Sequence, residues 1–267
     1  MATLDSMKKE LVQKRPKTPA QVMNATLNSE GMQKLLEDTV KENRGSFVAS
    51  LIDLYGSDTA LAACNAGDVV KEALKAVSLK LPINKQLGFA YIIPYGGRPQ
   101  FQLGYRGYIQ LCIRTGTYKY INTAVIYEGE YLGEDKLTGE VDVSGQRVSD
   151  EVIGYTAYIE TINGFKKCLY WTKDKVKAHA KRFSKTYANG NGAIWKEYFD
   201  EMAQKTVLRN LLSKYGIMSV ELQQGFEAET PAAEQEEAYE EDYLTDEAQE
   251  IDSVTIDPQT GEVELGG

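Results

Sequence analysis

Residues 94–121, PYGGRPQFQLGYRGYIQLCIRTGTYKYI, hold six aromatics and the cations Arg98, Arg106, Arg114 and Lys119, with no acid among them. A single nucleic-acid strand needs cations along its phosphates and π-faces for its bases. These residue types therefore offer binding rather than bond-making chemistry. Arg106, Gln110 and Arg114 recur every four residues, along one line of a helix. Gln100 and Gln102 alternate with apolar residues and present amide donors to phosphate or sugar. Tyr105, Tyr120 and Trp171 are candidate stacking platforms, whereas Phe101 and Tyr108 read as core. A second polar set, Lys205, Thr206, Arg209 and Asn210, lies on the longest helical pattern of the chain. Between residues 161 and 196 nine bases face Asp174 alone. Of these bases, Lys166, Lys167, Lys173, Lys181 and Arg182 join the candidate DNA contacts.

Other chemistries find less support. The phosphate-loop spacing Gly-x4-Gly-Lys-Ser/Thr does not occur, and Gly96–Gly97 reads as a turn. A metal-dependent nuclease would need converging carboxylates, for which only the acids of residues 128–142 are available. His179 lies among bases with no marked nucleophile beside it, the pattern of a structural histidine. Cys64, Cys112 and Cys168 are scattered and odd in number, which favours free thiols and a cytoplasmic chain and offers no zinc spacing. No catalytic, metal or cofactor site is expected.

The elements that position these residues follow from periodicity and punctuation. Residues 29–55 are helical by pattern, through Met32, Leu35, Leu36, Phe47, Val48, Leu51 and Leu54. Asp68 is expected to cap a helix over 69–77, and Pro82 to end it. Residues 87–95 and 100–103 read as a hairpin about Gly96–Gly97, followed by a helix over 105–114 that Gly116 ends. A third strand is expected over 118–130, a hairpin or loop over 131–146, and a second hairpin, 148–161 with 165–171, about Asn163-Gly164. Thr172 caps a helix over 173–183, residues 184–192 form a loop, and one helix runs from 195 to 215. On that last helix Trp195, Phe199, Met202, Thr206, Arg209 and Ser213 share one face, with Val207, Leu208, Leu211, Leu212 and Tyr215 opposite. Its polar patch is expected to face away from that second stripe, leaving space where a ligand could lie.

The net charge of −9 conceals two parts. Residues 221–267 carry 16 acids and no Lys or Arg, leaving 23 acids and 30 bases before them, a net of +7. Residues 73–127 contain no Asp or Glu. A basic body with an acidic tail fits a nucleic-acid partner. No apolar run approaches the length of a membrane helix, and the amino terminus lacks the apolar segment of a secretory signal. The expected fold class is α+β: a β-hairpin–helix core, a second hairpin, a long C-terminal helix, a helical N-terminal layer and an acidic disordered tail. The expected division is a flexible arm over 1–28, a core over 29–220 and a tail over 221–267. A small hairpin is expected over 251–265.

LPINKQLGFAYIIPYGG at 81–97 and QFQLGYRGYIQLCIRTGTYKYI at 100–121 resemble the core signature of the RecT family of phage single-strand annealing proteins. WKEYFDEMAQKTVLRNLLSKYGIMS at 195–219 resembles the family's other strongly patterned block. The Tyr-Arg-Gly at 105–107 stands where many members have Tyr-Lys-Gly, which keeps the charge and alters donor geometry. The resemblance implies ATP-independent annealing of complementary DNA strands in homologous recombination, by rings or helical filaments that bind single-stranded DNA and hold the annealed duplex. It implies a phage exonuclease and the host single-strand binding protein as partners. The rival readings are a passive single-strand binder, a metal-dependent nuclease and a structural phage protein.

Overall fold

The computed structural model describes residues 17–40, 43–190 and 192–229, together with the strands Val254–Ile256 and Val263–Leu265. Five helices open the fold: Pro19–Leu27 (α1), Glu30–Val40 (α2), Arg44–Ser57 (α3), Thr59–Ala62 (α4) and Ala66–Ser78 (α5). The expected arm thus contains a helix. Thr18 and Gln21 form a capping box with Pro19 in the first turn, and Met23 and Leu27 are buried. Such a start signal outweighs the polar composition of the segment. The helical stretch expected over 29–55 is two helices. Asn65, rather than Asp68, caps α5 by accepting from the Asp68 amide, which places Asp68 in the first turn, where an acid meets the helix dipole favourably. Buried Ala66, Val69, Val70, Ala73 and Ala76 form the inner stripe of α5. Lys80 (φ 54°) ends this helix in the left-handed region, with Leu81 N–H bonded to Ala76 and Lys80 N–H to Val77.

Ala90–Tyr95 (β1) and Arg98–Leu103 (β2) pair antiparallel from Ala90↔Leu103 to Tyr95↔Arg98. The connecting Gly96 and Gly97 both have positive φ, which a two-residue hairpin turn requires. Ala90, Ile92, Phe101 and Leu103 are buried on one face, and Tyr91, Ile93, Gln100 and Gln102 lie half-buried on the other. The Phe101 amide donates to Glu72 of α5 over 2.7 Å. Tyr105–Arg114 (α6) starts directly after Gly104 and buries Tyr108, Leu111 and Cys112.

A three-stranded antiparallel sheet follows in the order Tyr118–Tyr127 (β3), Val152–Thr161 (β6), Lys166–Thr172 (β7). The two-residue strands Gly133–Glu134 (β4) and Val141–Asp142 (β5) form a separate small hairpin, one of the two readings open for 131–146. Tyr155, Ala157 and Ile159 of the central strand are fully buried. Thr172 ends β7 and caps Lys173–Phe183 (α7), accepting from the Lys175 amide. The loop expected over 184–192 contains the short helix Lys185–Ala188 (α8). The long helix expected from 195 to 215 is divided at Tyr198 into Ala193–Glu197 (α9) and Phe199–Tyr215 (α10). Helix α10 packs on all three strands of the sheet, burying Ala203, Val207, Leu208, Leu211 and Leu212.

The acidic segment begins with a helix, Val220–Glu229 (α11), which lies against β2 and α6. Leu222 and Phe226 are buried, and the Phe226 ring meets Tyr108 at 5.4 Å. Gly225 admits close contact here, since a Cβ would stand 3.2 Å from Leu111 and 3.3 Å from Leu103. The body therefore extends to residue 229, because two large apolar side chains one turn apart suffice to dock an otherwise polar helix. Val254–Ile256 (β8) and Val263–Leu265 (β9) pair antiparallel, as expected for 251–265. The disordered tail expected around them falls largely outside the described residues.

A chain ended at Gln235 is expected to keep its urea midpoint. A chain ended at Val220 loses the cover of Tyr108 and Leu111, and Phe226→Ala alone should cost about 3 kcal/mol or more. Equal unfolding curves for all of these would refute the docking of α11.

Candidate nucleic-acid interface

Three elements carry the polar side chains that converge: the outward face of the β1–β2 hairpin, α6 and α10. Tyr105 and Gln204 both meet the Thr123 hydroxyl of β3, at 3.0 and 2.9 Å. Gln102 donates its amide to the Tyr95 hydroxyl over 2.9 Å. Next to these, Lys205 and Arg209 of α10 both reach Glu229 of α11, at 2.8 and 3.4 Å, and the Tyr108 hydroxyl donates to the same carboxylate. Arg209 also lies 5.4 Å from the Phe226 ring centre. Burial pushes the Glu229 carboxyl up, but Lys205 and Arg209 outweigh it and hold the group below the ordinary carboxylate range. Burial pushes the Tyr95 phenol upward against the lowering effect of the Gln102 hydrogen bond, and the charge of Glu229 adds to the rise, which puts the hairpin within the electrostatic reach of this cluster.

Helix α7 brings more charge to the same region. His179 packs between Trp171 and Phe183, with ring centres 5.2 and 4.4 Å away. Burial first, then the positive charges of Arg209, Arg182 and Lys175, lower its pKa to about 4. The bases of α7 and α10 thus share one positive field, and the histidine is a neutral structural residue at pH 7. Lys181 is exposed on α7, and Arg182 stands 5.2 Å from the Phe183 ring. Lys173 lies half-buried at the rim of a cavity of about 250 Å³ lined by Tyr187, Trp195 and Phe199.

The other candidates separate from this cluster. Arg106 is exposed on α6, with a 3.4 Å contact to the Leu87 carbonyl. Gln100 and Gln110 are half-buried on the hairpin and on α6. Arg98 sits at the hairpin tip, at the rim of a cavity shared with Asp68, Lys71 and Glu72. Arg114 donates to the carbonyls of Leu79 and Lys80 at 2.7 and 2.8 Å, tying α6 to the end of α5. Lys119 pairs with Glu160 at 2.7 Å, and Lys166 approaches the same carboxylate at 4.0 Å, with Tyr120 exposed beside them. Lys167 donates to the Thr138 carbonyl and lies over Tyr215.

Three expectations are corrected. Trp171 is 7% exposed against His179, so its ring fills the sheet–helix layer and offers no stacking face. Asn210 is buried, its amide donating to the Thr206 carbonyl, while the Thr206 hydroxyl donates to Met202 within the helix. The α10 patch does not face open space, because α11 covers it. Glu229, Tyr95 and Gln204 were not among the expected site residues. For Glu229 a signal exists, since Leu222, Phe226 and Glu229 recur at four and three, on one helical face.

Among the described residues no three His, Cys, Asp or Glu side chains are grouped to hold a metal ion. The acids of residues 128–142 serve turns: Glu130 accepts from the Tyr127 amide, Asp135 from Leu137 and Thr138, and Asp142 from Ser144. No described helix is long and apolar enough to cross a membrane.

A hairpin–helix unit and a sheet-backed helix that together bring basic and polar side chains to one region define a candidate polynucleotide-binding protein. The sequence matches the RecT family over residues 45–252, and the chain belongs to that family. It is 43% identical over 263 residues to the uncharacterized protein YqaK of Bacillus subtilis, covering 97% of this chain and 89% of that protein. It is 28% identical over 177 residues to protein RecT of Escherichia coli, covering 61% of this chain and 63% of that protein. The membership supports, in general terms, a DNA-binding protein of single-strand annealing and recombination.

Two predictions separate structural from binding roles. Arg114→Ala should lower unfolding stability by about 1–2 kcal/mol through the loss of its carbonyl bonds. Its effect on DNA affinity should be no larger than that of the lost fold. His179 is the only histidine. As pH falls, the unfolded chain takes up its proton near the ordinary value of about 6.5, and the folded chain only near 4. Stability should therefore drop by about 2 kcal/mol between pH 7 and pH 5. Urea titrations of wild type and His179→Phe at both pH values check this, and the same pH dependence in the variant would contradict it.

Proposed function

We propose that the chain binds single-stranded DNA along its phosphates and promotes annealing of complementary strands without ATP, acting as an oligomer that holds the duplex intermediate. The observation that supports this reading most is the approach of Arg209 from α10 and of Arg182 and Lys175 from α7 to one histidine, with Lys205 one turn from Arg209 and bound to the same carboxylate. Arg106 adds an exposed cation on α6. Cations from separate elements suit a backbone that must be gripped at several phosphates while its bases stay readable. Base pairing then supplies both specificity and free energy, and no nucleotide hydrolysis is required. The cytoplasm is the compartment proposed, with a phage exonuclease and the host single-strand binding protein as partners.

A passive binder would coat strands and block pairing, so the deciding assay is annealing of two complementary oligonucleotides with and without ATP. Equal rates above the protein-free rate are expected, and an absolute ATP requirement would refute the mechanism. Log affinity should fall linearly with log salt, by roughly 0.7 per phosphate neutralised. Arg106→Ala, Lys205→Ala and Arg209→Ala should each cost on the order of 1–3 kcal/mol of binding and combine non-additively. Folded variants that all anneal at the wild-type rate would remove these residues from the site.

A further inference from the structure

We propose that Lys205, Arg209 and Tyr108 form a cradle for one backbone phosphate, and that Glu229 fills that cradle in the DNA-free chain. The inference rests on the reading that this surface binds single-stranded DNA. Two cations four residues apart on α10 and a phenol from α6 converge on one buried carboxylate. All three are donors, so the pocket they line demands an anion, whichever group supplies it.

Glu229 is a provisional occupant on three physical grounds. It stands at the C-terminal end of α11, where the helix dipole disfavours negative charge, so its own helix does not hold it there. Its position on the last turn lets its side chain swing out while Leu222 stays buried and Phe226 stays against the Tyr108 ring. It carries one negative charge, as a phosphodiester does, so exchange leaves the net charge of the cradle unchanged. Removing a buried anion without replacement is strongly unfavourable. Departure of the carboxylate is therefore coupled to arrival of the phosphate, and the strand must compete with Glu229 for its last contact.

The test uses the full chain and fluorescence anisotropy with a labelled oligothymidylate. Glu229→Gln is expected to bind three- to tenfold more tightly, with a salt slope steeper by about 0.7, the value of one further phosphate. The gain should vanish in Glu229→Gln combined with Lys205→Ala. Circular dichroism and thermal melts establish folding. Should glutamine destabilise the fold, Glu229→Asp keeps the charge but shortens its reach, and should also raise affinity. A folded Glu229→Gln or Glu229→Asp variant with the affinity and salt slope of wild type overturns the inference, while annealing by the wild type would leave the functional reading standing. Absence of binding by both wild type and Glu229→Gln at low salt would overturn both.

Discussion

The contact on which the other positions depend is the passage of α6 across the backbone that leads into β1. A Cβ on Gly104 would stand 2.0 Å from the Gly88 carbonyl oxygen, and one on Gly107 would stand 2.3 Å from that of Phe89. Only glycine permits this approach. It fixes the helix relative to the hairpin without any intervening side chain, and the directions of four functional or structural residues follow. Tyr105 points to the sheet and meets Thr123, Tyr108 points to the α10–α11 junction, Arg106 faces solvent, and Arg114 reaches the end of α5. One short helix thus joins the N-terminal layer, the sheet and the carboxy-terminal helices.

Much of this arrangement was legible in the residues. The Gly-Gly turn, the Asn-Gly turn and the Thr172 cap each have one physical meaning, and the hairpins and α7 lie where those signals place them. The site was legible only in part, because periodicity tells which residues share a face and not what covers that face. Lys205 and Arg209 were correctly grouped on one side of α10, yet nothing local announces that α11 folds over them. Trp171 is buried because the strand-to-helix turn at Thr172 brings His179 onto its ring, and Asn210 bonds the Thr206 carbonyl of its own helix. The docking of α11 was hidden by composition: Leu222 and Phe226 are outnumbered by acids and glutamines, although their spacing is that of a docking face.

The distribution of charge also differs from its sequence profile. Residues 73–127 lack acids, but Arg114 spends its donors on carbonyls and Lys119 meets Glu160 from a distant strand. Glu160 draws Lys119, Lys166 and Tyr158 to the far side of the sheet, where cations and acid largely neutralise one another. A base-rich segment therefore does not amount to a basic surface. Cations from two elements come together instead where α7 and α10 run side by side, around His179.

Thr172 belongs at once to the end of β7 and to the start of α7. With no linker between strand and helix, the junction has no hinge. The direction of the basic helix, and with it the placing of Lys175, Lys181 and Arg182, is therefore set by the end of β7. Changes in the reach of these cations then fall to side-chain rotamers, which rearrange in picoseconds to nanoseconds where they are exposed.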